Sequence, residues 1–165
     1  MALRKILTQG DPVLGKVCRP VEKFDRRLHF LIDDLKETLE ESGGVGLAAP
    51  QVGILRRVVI VMDAEDQMIE LVNPKIIHEE GEQDGLEGCL SVPGMYGKVK
   101  RPYSVTVRAQ DRDGNFFEVS GEEMVARCFC HETEHLDGHL FVEHTDRLYT
   151  LEELEEMEEN GEEIP

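Results

Sequence analysis

A chain of 165 residues with 40% hydrophobic side chains is long enough to bury one substantial core, which predicts a single domain. Its net charge of −17, from 18 basic and 35 acidic residues, disfavours binding to nucleic acid, because a phosphate backbone requires clustered Lys and Arg. No apolar run approaches the roughly 20 residues that span a bilayer, and the first residues lack the pattern of a signal peptide. We therefore expect a cytoplasmic protein with no membrane partner.

The first predicted element is a helix over residues 25–41. Five apolar side chains recur there at helical spacing: Leu28, Leu31, Ile32, Leu35 and Leu39. Asp25 precedes this stretch and is a predicted N-cap, and Gly43 and Gly44 follow it as a predicted end.

The middle of the chain predicts β-structure. Residues 57–63 and 69–77 are rich in β-branched side chains, which favours strands. Residues 103–120 contain two such stretches on either side of the turn sequence DRDGN, a pattern that predicts a β-hairpin. Strands before and between helices, together with a hairpin, indicate an α+β domain with mixed or antiparallel sheets.

A second helix, of about 17 residues, is predicted to begin at Ser120. Ser120 and Glu123 have the spacing of a capping box, and Gly138 stands where a C-cap glycine would end the helix. This helix carries the sequence CFCHETEH. We expect it to be the central helix around which the sheets pack.

The last predicted helix begins at Thr150, with Glu153 as its capping partner. Its remaining face is nearly all Glu, which favours a solvated terminus. We therefore divide the chain into a domain at residues 1–148 and an acidic helix or tail at residues 149–165.

The second helix contains a candidate metal site. His131 and His135 are four residues apart, so a helix places both imidazoles on one face, where they can bind one ion. Glu132 lies about 100° around the helix from His131 and can reach a water molecule on that ion without being a ligand. Such a motif generates a nucleophile, because the metal lowers the pKa of water and the Glu takes the proton.

A third ligand has to come from another element. Cys89 is a candidate, since a small residue precedes it and a turn follows it, which suits a thiolate presented from the end of a strand. Glu143, His144 and the Glu residues after position 151 are alternatives. A set of one Cys and two His leaves a fourth position open for water, which is typical of a catalytic site.

Three segments in this order resemble the peptide deformylase family: GGVGLAAPQVG at 43–53, EGCLSVPG at 87–94 and CHETEHLDG at 130–138. Weaker similarity extends from about residue 4 to residue 144. The resemblance implies a metal-dependent hydrolase that removes the N-formyl group from the N-terminal formylmethionine of newly made polypeptides and releases formate.

The resemblance also implies roles for particular residues. The metal ligands would be Cys89, His131 and His135. Glu132 would act as general base and then as general acid, while the Gln51 side-chain amide and the Leu90 backbone N–H stabilise the oxyanion. The donor set alone favours Zn²⁺, whereas the resemblance favours one Fe²⁺ ion that other divalent ions can replace.

The substrate implied by the resemblance is an N-formylmethionyl nascent peptide. Gly44, Val45 and Gly46 would let this extended chain approach the protein backbone closely, as in strand addition. Val45, Cys128 and Leu90 are the expected apolar pocket around its methionine side chain.

Three positions depart from the usual pattern of the family. Cys130 replaces a Gln, and Glu134 and Glu143 each replace an Asp. None is an implied ligand or base, so we expect activity to survive, with the longer carboxylate shifting any contact to a ligand His by about one methylene. Glu87 and Arg101 can pair behind the site, although an exposed pair, which contributes little to stability, is the alternative.

Residues 151–165 contain eight Glu and no Lys or Arg. This composition argues against docking on ribosomal RNA, although the substrate places the enzyme transiently near the ribosome. We expect that removing these residues leaves activity on short peptides unchanged.

Two other hypotheses fit the HExxH sequence. One is a different metallohydrolase, such as a peptidase, that cleaves internal peptide bonds and ignores formyl groups. The other is a metal-binding protein without turnover, which the presence of Gln51, Cys89 and Glu132 disfavours.

Overall fold

The computed structural model of the protein describes residues 2–165. Within them, eight strands form two sheets: β1 (Gly46–Ala48), β2 (Val58–Met62), β3 (Met68–Glu80), β4 (Gln83–Cys89), β5 (Val92–Arg101), β6 (Ser104–Gln110), β7 (Phe116–Glu122) and β8 (Leu148–Thr150). The α-helices of this range are α1 (Arg26–Ser42), α2 (Met124–His135) and α3 (Leu151–Glu159). Single 3-10 turns cover Pro12–Gly15, Ala49–Val52 and Phe141–His144. Pairing between these strands is antiparallel, so the predicted α+β class is confirmed.

Helix α1 confirms both predicted ends. The Asp25 side chain accepts a hydrogen bond from the Leu28 N–H at 3.1 Å, which satisfies one of the free donors of the first turn. Gly43 ends the helix with a φ of 73°, a left-handed conformation that glycine adopts without a steric penalty. The five apolar residues of its predicted face are all buried.

The larger sheet has the strand order β1-β2-β3-β6-β7, and two helices cover its β2 region. Residues of β2 alternate between two apolar cores. Val58 and Ile60 pack with α1, whereas Val59 and Val61 pack with Phe129 of α2. Burial on both faces explains why β2 is a continuous apolar run rather than an alternating one.

The predicted strands and hairpin are present, but the strands of the second sheet were not predicted. Residues 57–63 contain β2, residues 69–77 lie within β3, and residues 103–120 cover the β6–β7 hairpin except for the last two residues of β7. The second sheet has the order β4-β5-β8. Its strands β4 and β5 contain several glycines and charged residues, which weakens the sequence pattern of a strand.

Helix α2 begins later than predicted, and the proposed capping box is wrong. Ser120 belongs to β7, where it pairs with Thr106, and the two hydroxyls lie 2.7 Å apart. The hairpin pairing extends to Glu122, so the backbone cannot become helical until Met124. The helix has 12 residues and ends at His135, and the glycine expected to cap it, Gly138, lies beyond in a left-handed conformation.

Helix α3 begins as predicted, because Thr150 and Glu153 form a capping box. The predicted division at residue 148 falls inside β8, a strand whose Tyr149 is almost fully buried. Among the described residues, the helices are too short or too polar to cross a membrane.

Candidate metal centre and active site

Three side chains from two elements converge behind the mouth of a cavity. His131 and His135 lie on one face of α2 and are buried, and Cys89 is the last residue of β4. Their ligand atoms, one from each side chain, all lie within 4.8 Å of one another. The Cys89 Sγ is 3.4 Å from the His135 Nε2. One thiol and two imidazoles within this span are a donor set that suits a divalent transition metal.

Glu143 and His144, two of the other candidates for a third ligand, are engaged elsewhere. Glu143 accepts a hydrogen bond from the Leu140 N–H, and His144 contacts Glu134 at 2.8 Å. Burial raises the pKa of Cys128 well above its usual value and raises that of Cys130 to about 12. Burial therefore disfavours the thiolate form of both side chains, and a metal ligand has to be a thiolate.

A buried carboxylate fixes the orientation of His131. Glu87 Oε1 lies 2.8 Å from His131 Nδ1, so we assign the proton to Nδ1, which leaves Nε2 free to bind an ion. Arg101 donates two hydrogen bonds to the same carboxylate, at 2.7 and 3.0 Å, and Arg127 donates a third at 2.7 Å. The predicted Glu87–Arg101 pair behind the site is therefore confirmed, and the alternative of an exposed pair is wrong, because both side chains are buried.

The charge of Glu87 is stable at neutral pH. Burial raises the pKa of this carboxyl, but hydrogen bonds from Arg101 and His131 outweigh burial and lower it to about 2. Burial lowers the pKa of His131, yet Glu132, Cys89 and Glu87 together raise it well above its usual value. Surroundings that favour a proton on His131 also favour a cation beside it, so the residues present fit a metal ion.

Glu132 has the position and the pKa of a general base. Its carboxylate oxygens lie 4.0 Å from His131 Nε2 and 3.9 Å from His135 Nε2. Its Oε1 atom is buried and has no hydrogen-bond partner within residues 2–165. Burial, opposed by His131, raises the pKa of Glu132 to about 7. A carboxyl group whose pKa is close to the working pH can both accept and return a proton.

Gln51 is buried beside Cys89 and is held by three contacts. Its Oε1 accepts a hydrogen bond from the Ala48 N–H at 2.9 Å, which directs Nε2 toward the site. The Nε2 atom donates to Ser91 Oγ at 3.0 Å and approaches Cys89 Sγ at 3.6 Å. Sequence reasoning missed Ser91, although it lies two residues after Cys89 in the segment that carried the resemblance.

A cavity of about 530 Å³ opens in front of these residues. All the residues expected at the substrate line it: Gly44, Val45, Gly46, Gln51, Leu90 and Cys128. The sequence did not indicate four further apolar or aromatic lining residues: Leu86, Met95, Tyr96 and Met124. Strands β1 and β4 border the cavity, and each is an edge strand of its sheet.

Gly46 has a packing role that differs from the one expected. A Cβ atom at this position would lie 2.5 Å from Glu132 Oε2 and 2.6 Å from Cys128 Sγ. The absence of a side chain therefore lets β1 approach α2 closely.

The substituted position Glu134 does not contact a ligand His. Its carboxylate joins Arg101, at 2.8 Å, to His144, also at 2.8 Å. The extra methylene relative to Asp is thus accommodated at the outer end of the charge network, away from the three converging side chains.

Comparison with known proteins identifies the family. The family model for polypeptide deformylase matches residues 3–150. The chain belongs to the peptide deformylase family. A peptide deformylase from Agathobacter rectalis is 57% identical over 143 residues, which cover 87% of this chain and 90% of that relative. Another, from Caldicellulosiruptor bescii, is 51% identical over 164 residues, or 99% of this chain and 98% of that relative.

The fold agrees with this assignment. The crystal structure of a peptide deformylase from Legionella pneumophila superposes with a TM-score of 0.84 at 40% identity, covering 99% of this chain and 100% of that one. The protein is therefore a hydrolase of the peptide deformylase family, which removes the N-formyl group from newly made polypeptides with the help of a metal ion. This assignment excludes the hypothesis of a binding protein without turnover and disfavours the peptidase hypothesis.

Proposed function

We propose that Cys89, His131 and His135 hold one divalent metal ion and that Glu132 transfers the proton in deformylation. The observation that carries this proposal is the convergence of the three ligand atoms within 4.8 Å, with the Glu132 carboxylate about 4 Å from both imidazole Nε2 atoms. When bound, the ion would supply a Lewis acid that acidifies water and polarises the formyl carbonyl.

Glu132 is proposed to act twice. It accepts a proton from the water that attacks the formyl carbon, and it then donates this proton to the departing amine, so that formate and a free N-terminus result. Its buried carboxylate suits both steps, because its pKa of about 7 lies near the working pH.

Gln51 and Leu90 are proposed to stabilise the oxyanion. The Gln51 amide is neutral and cannot take the catalytic proton, and its Nε2 is directed to the site by the Ala48 N–H and Ser91. The Nε2 contact to Cys89 Sγ, at 3.6 Å, is long, so this N–H can turn to the oxyanion without losing a strong hydrogen bond. Leu90 follows the ligand Cys89 directly, which holds its backbone N–H in place.

The substrate is proposed to enter as an extended chain between β1 and β4. Both are edge strands that border the cavity, and a peptide can engage the free backbone groups of an edge strand by strand addition. Val45, Cys128 and Leu90, at the cavity wall, are proposed to contact the methionine side chain, and Gly44 and Gly46 keep the adjoining backbone close.

The identity of the ion is also a proposal. Resemblance to the family favours Fe²⁺ as the native ion, which other divalent ions can replace, whereas the Cys-His-His donor set alone favours Zn²⁺. We further propose that the enzyme acts in the cytoplasm on nascent chains as they leave the ribosome. The net charge of −17 disfavours direct binding to RNA, so this proximity would be transient.

The test is formate release from a formyl-Met tripeptide by protein purified without oxygen, with bound metal measured on the same sample. Glu132→Gln is expected to retain the metal and to lose about 10²- to 10⁴-fold in kcat, the usual contribution of a positioned base. Glu118→Gln, at an exposed position of β7, is the matched control and should behave as the wild type. Full activity of Glu132→Gln, or cleavage of unformylated peptides by the wild type, would contradict the proposal.

A further inference from the structure

A second cavity adjoins the catalytic one. It has a volume of about 510 Å³ and lies between β4–β5 and the C-terminal segment, and we call it the C-terminal cavity. Leu154, Met157 and Ile164 contribute apolar side chains from that segment. Leu86 of β4 lines both cavities, so the two are neighbouring parts of one surface that runs past this side chain.

The C-terminal segment is fixed against the second sheet. Helix α3 packs against β5 and β8, and the Ile164 carbonyl accepts a hydrogen bond from Lys98 Nζ at 3.1 Å. The position of the C-terminal segment beside Leu86 is therefore defined by contacts on both sides of the C-terminal cavity. The cavity is a built feature of the fold and not a gap beside a free tail.

Strand geometry brings the downstream part of a substrate to this cavity. Leu86 precedes Cys89 by three residues on β4, or about 10 Å at the usual rise of about 3.3 Å per residue. An extended peptide that lies along β4 with its formyl group at Cys89 therefore places its third residue opposite Leu86. Its fourth residue then lies opposite Gly85, which lines the C-terminal cavity, and the next two residues stay within about 7 Å of that point, roughly the length of an extended Lys side chain.

The negative charge of the C-terminal cavity distinguishes basic from acidic side chains in such a peptide. Glu158, Glu162 and Glu163 line it and are exposed. Lys98, on the opposite side, is already close to the Ile164 carbonyl and lies 3.7 Å from Asp84. Glu162 Oε1 accepts a hydrogen bond from Asn160 Nδ2 at 3.3 Å, whereas Glu158 and Glu163 pair with no cation among the described residues. The three carboxylates therefore face a ligand without a neutralising cation, and the apolar side chains beside them suit the alkyl part of a Lys or Arg side chain.

We propose that the C-terminal cavity extends the substrate groove and binds basic side chains at the fourth to sixth residues of the formylated chain. Nascent polypeptides with Lys or Arg at these positions are deformylated faster than those with Glu or Asp. This inference rests on the proposed function, because it takes the formyl group to react at Cys89, His131 and His135.

The test compares formyl-Met-Ala-Ser extended by three Lys with the same peptide extended by three Glu, with formyl-Met-Ala-Ser itself as reference. The wild type is expected to show a kcat/KM about threefold to tenfold higher for the Lys peptide, the range of a few exposed ion pairs. The triple variant Glu158→Gln, Glu162→Gln and Glu163→Gln should lose most of this preference, and 0.5 M salt should reduce it in the wild type.

A matched control separates the cavity from the overall charge of the helix. The triple variant Glu152→Gln, Glu155→Gln and Glu159→Gln removes the same three charges from positions that do not line the cavity, and it should keep the wild-type preference. Equal rates for the Lys and Glu peptides, or equal effects of the two triple variants, would overturn the inference while the tripeptide is still deformylated. Failure to deformylate any of the three peptides would instead refute the proposed function, and this inference with it.

Discussion

Substitution of Gly46 by Ala should displace the general base while leaving the metal ligands in place. The new Cβ would lie 2.5 Å from Glu132 Oε2, about 0.9 Å inside the 3.4 Å at which ordinary contact begins. The carboxylate is the end of a flexible side chain and can move, so the loss of stability should be modest, about 1–3 kcal/mol. A displacement near 1 Å of a reacting group lowers the rate by about 10²-fold, so a comparable loss of kcat/KM is expected.

The assay is formate release with metal content and melting temperature measured on the same samples. Gly15→Ala is the control, because nothing lies within 4 Å of the position of its Cβ and its φ is not left-handed. Gly46→Ala combined with Cys128→Ala removes the second close contact, so it should recover stability but not activity. A Gly46→Ala enzyme within threefold of wild-type kcat/KM would refute the reasoning, since the base would then tolerate displacement.

Three further predictions concern residues around the site and on the surface. Glu87→Gln should lower metal affinity about 10- to 100-fold in a chelator competition, because His131 loses its charged partner; unchanged affinity would argue against that role. Ser91→Ala should lower kcat about fivefold by leaving the Gln51 amide unpaired, and it should add nothing to Gln51→Ala. Burial raises the pKa of Glu70, but hydrogen bonds and charges from Arg112 and Lys36 lower it overall. The ionised side chain therefore stabilises the fold above the unfolded pKa near 4.5, and this contribution is lost as pH falls through the lower folded pKa. Glu70→Gln should therefore flatten the dependence of unfolding free energy on pH below about 5, and an unchanged acid limb would contradict this.

Local patterns in the sequence were sufficient to predict the elements whose ends are capped by residues close to them in the chain. The helix at 25–41 and the start of the last helix at Thr150 depend on contacts within three residues, so propensity and spacing describe them well. The separation of His131 and His135 likewise fixes their common face. Resemblance to the family, and not spacing, selected Cys89, because its distance to the histidines depends on how the sheet that contains β4 packs against α2.

Features that depend on pairing between residues far apart in the chain could not be predicted from the sequence. The start of α2 is set by the register of β7 against β6, which overrides the capping box seen at Ser120. The sheet of β4, β5 and β8 has a composition that local propensity does not recognise, and its pairing determines where Leu86 and Cys89 lie. The burial of Glu87 between two arginines could not be inferred either, since nothing near it in the sequence indicates that water is excluded.

The network of Glu87, Arg101 and Arg127 also constrains how this protein can change in evolution. Removal of Glu87 leaves buried Arg127 without a carboxylate partner and Arg101 with Glu134 alone, which costs several kcal/mol. Exchange of all three residues for apolar ones can instead preserve a folded core. That exchange would leave the imidazole of His131 with no acceptor for its Nδ1 proton. Mutations that keep the fold but remove this network therefore produce an enzyme in which the metal ligand His131 is poorly oriented. Selection for deformylation should preserve the three residues together even where other core positions vary freely.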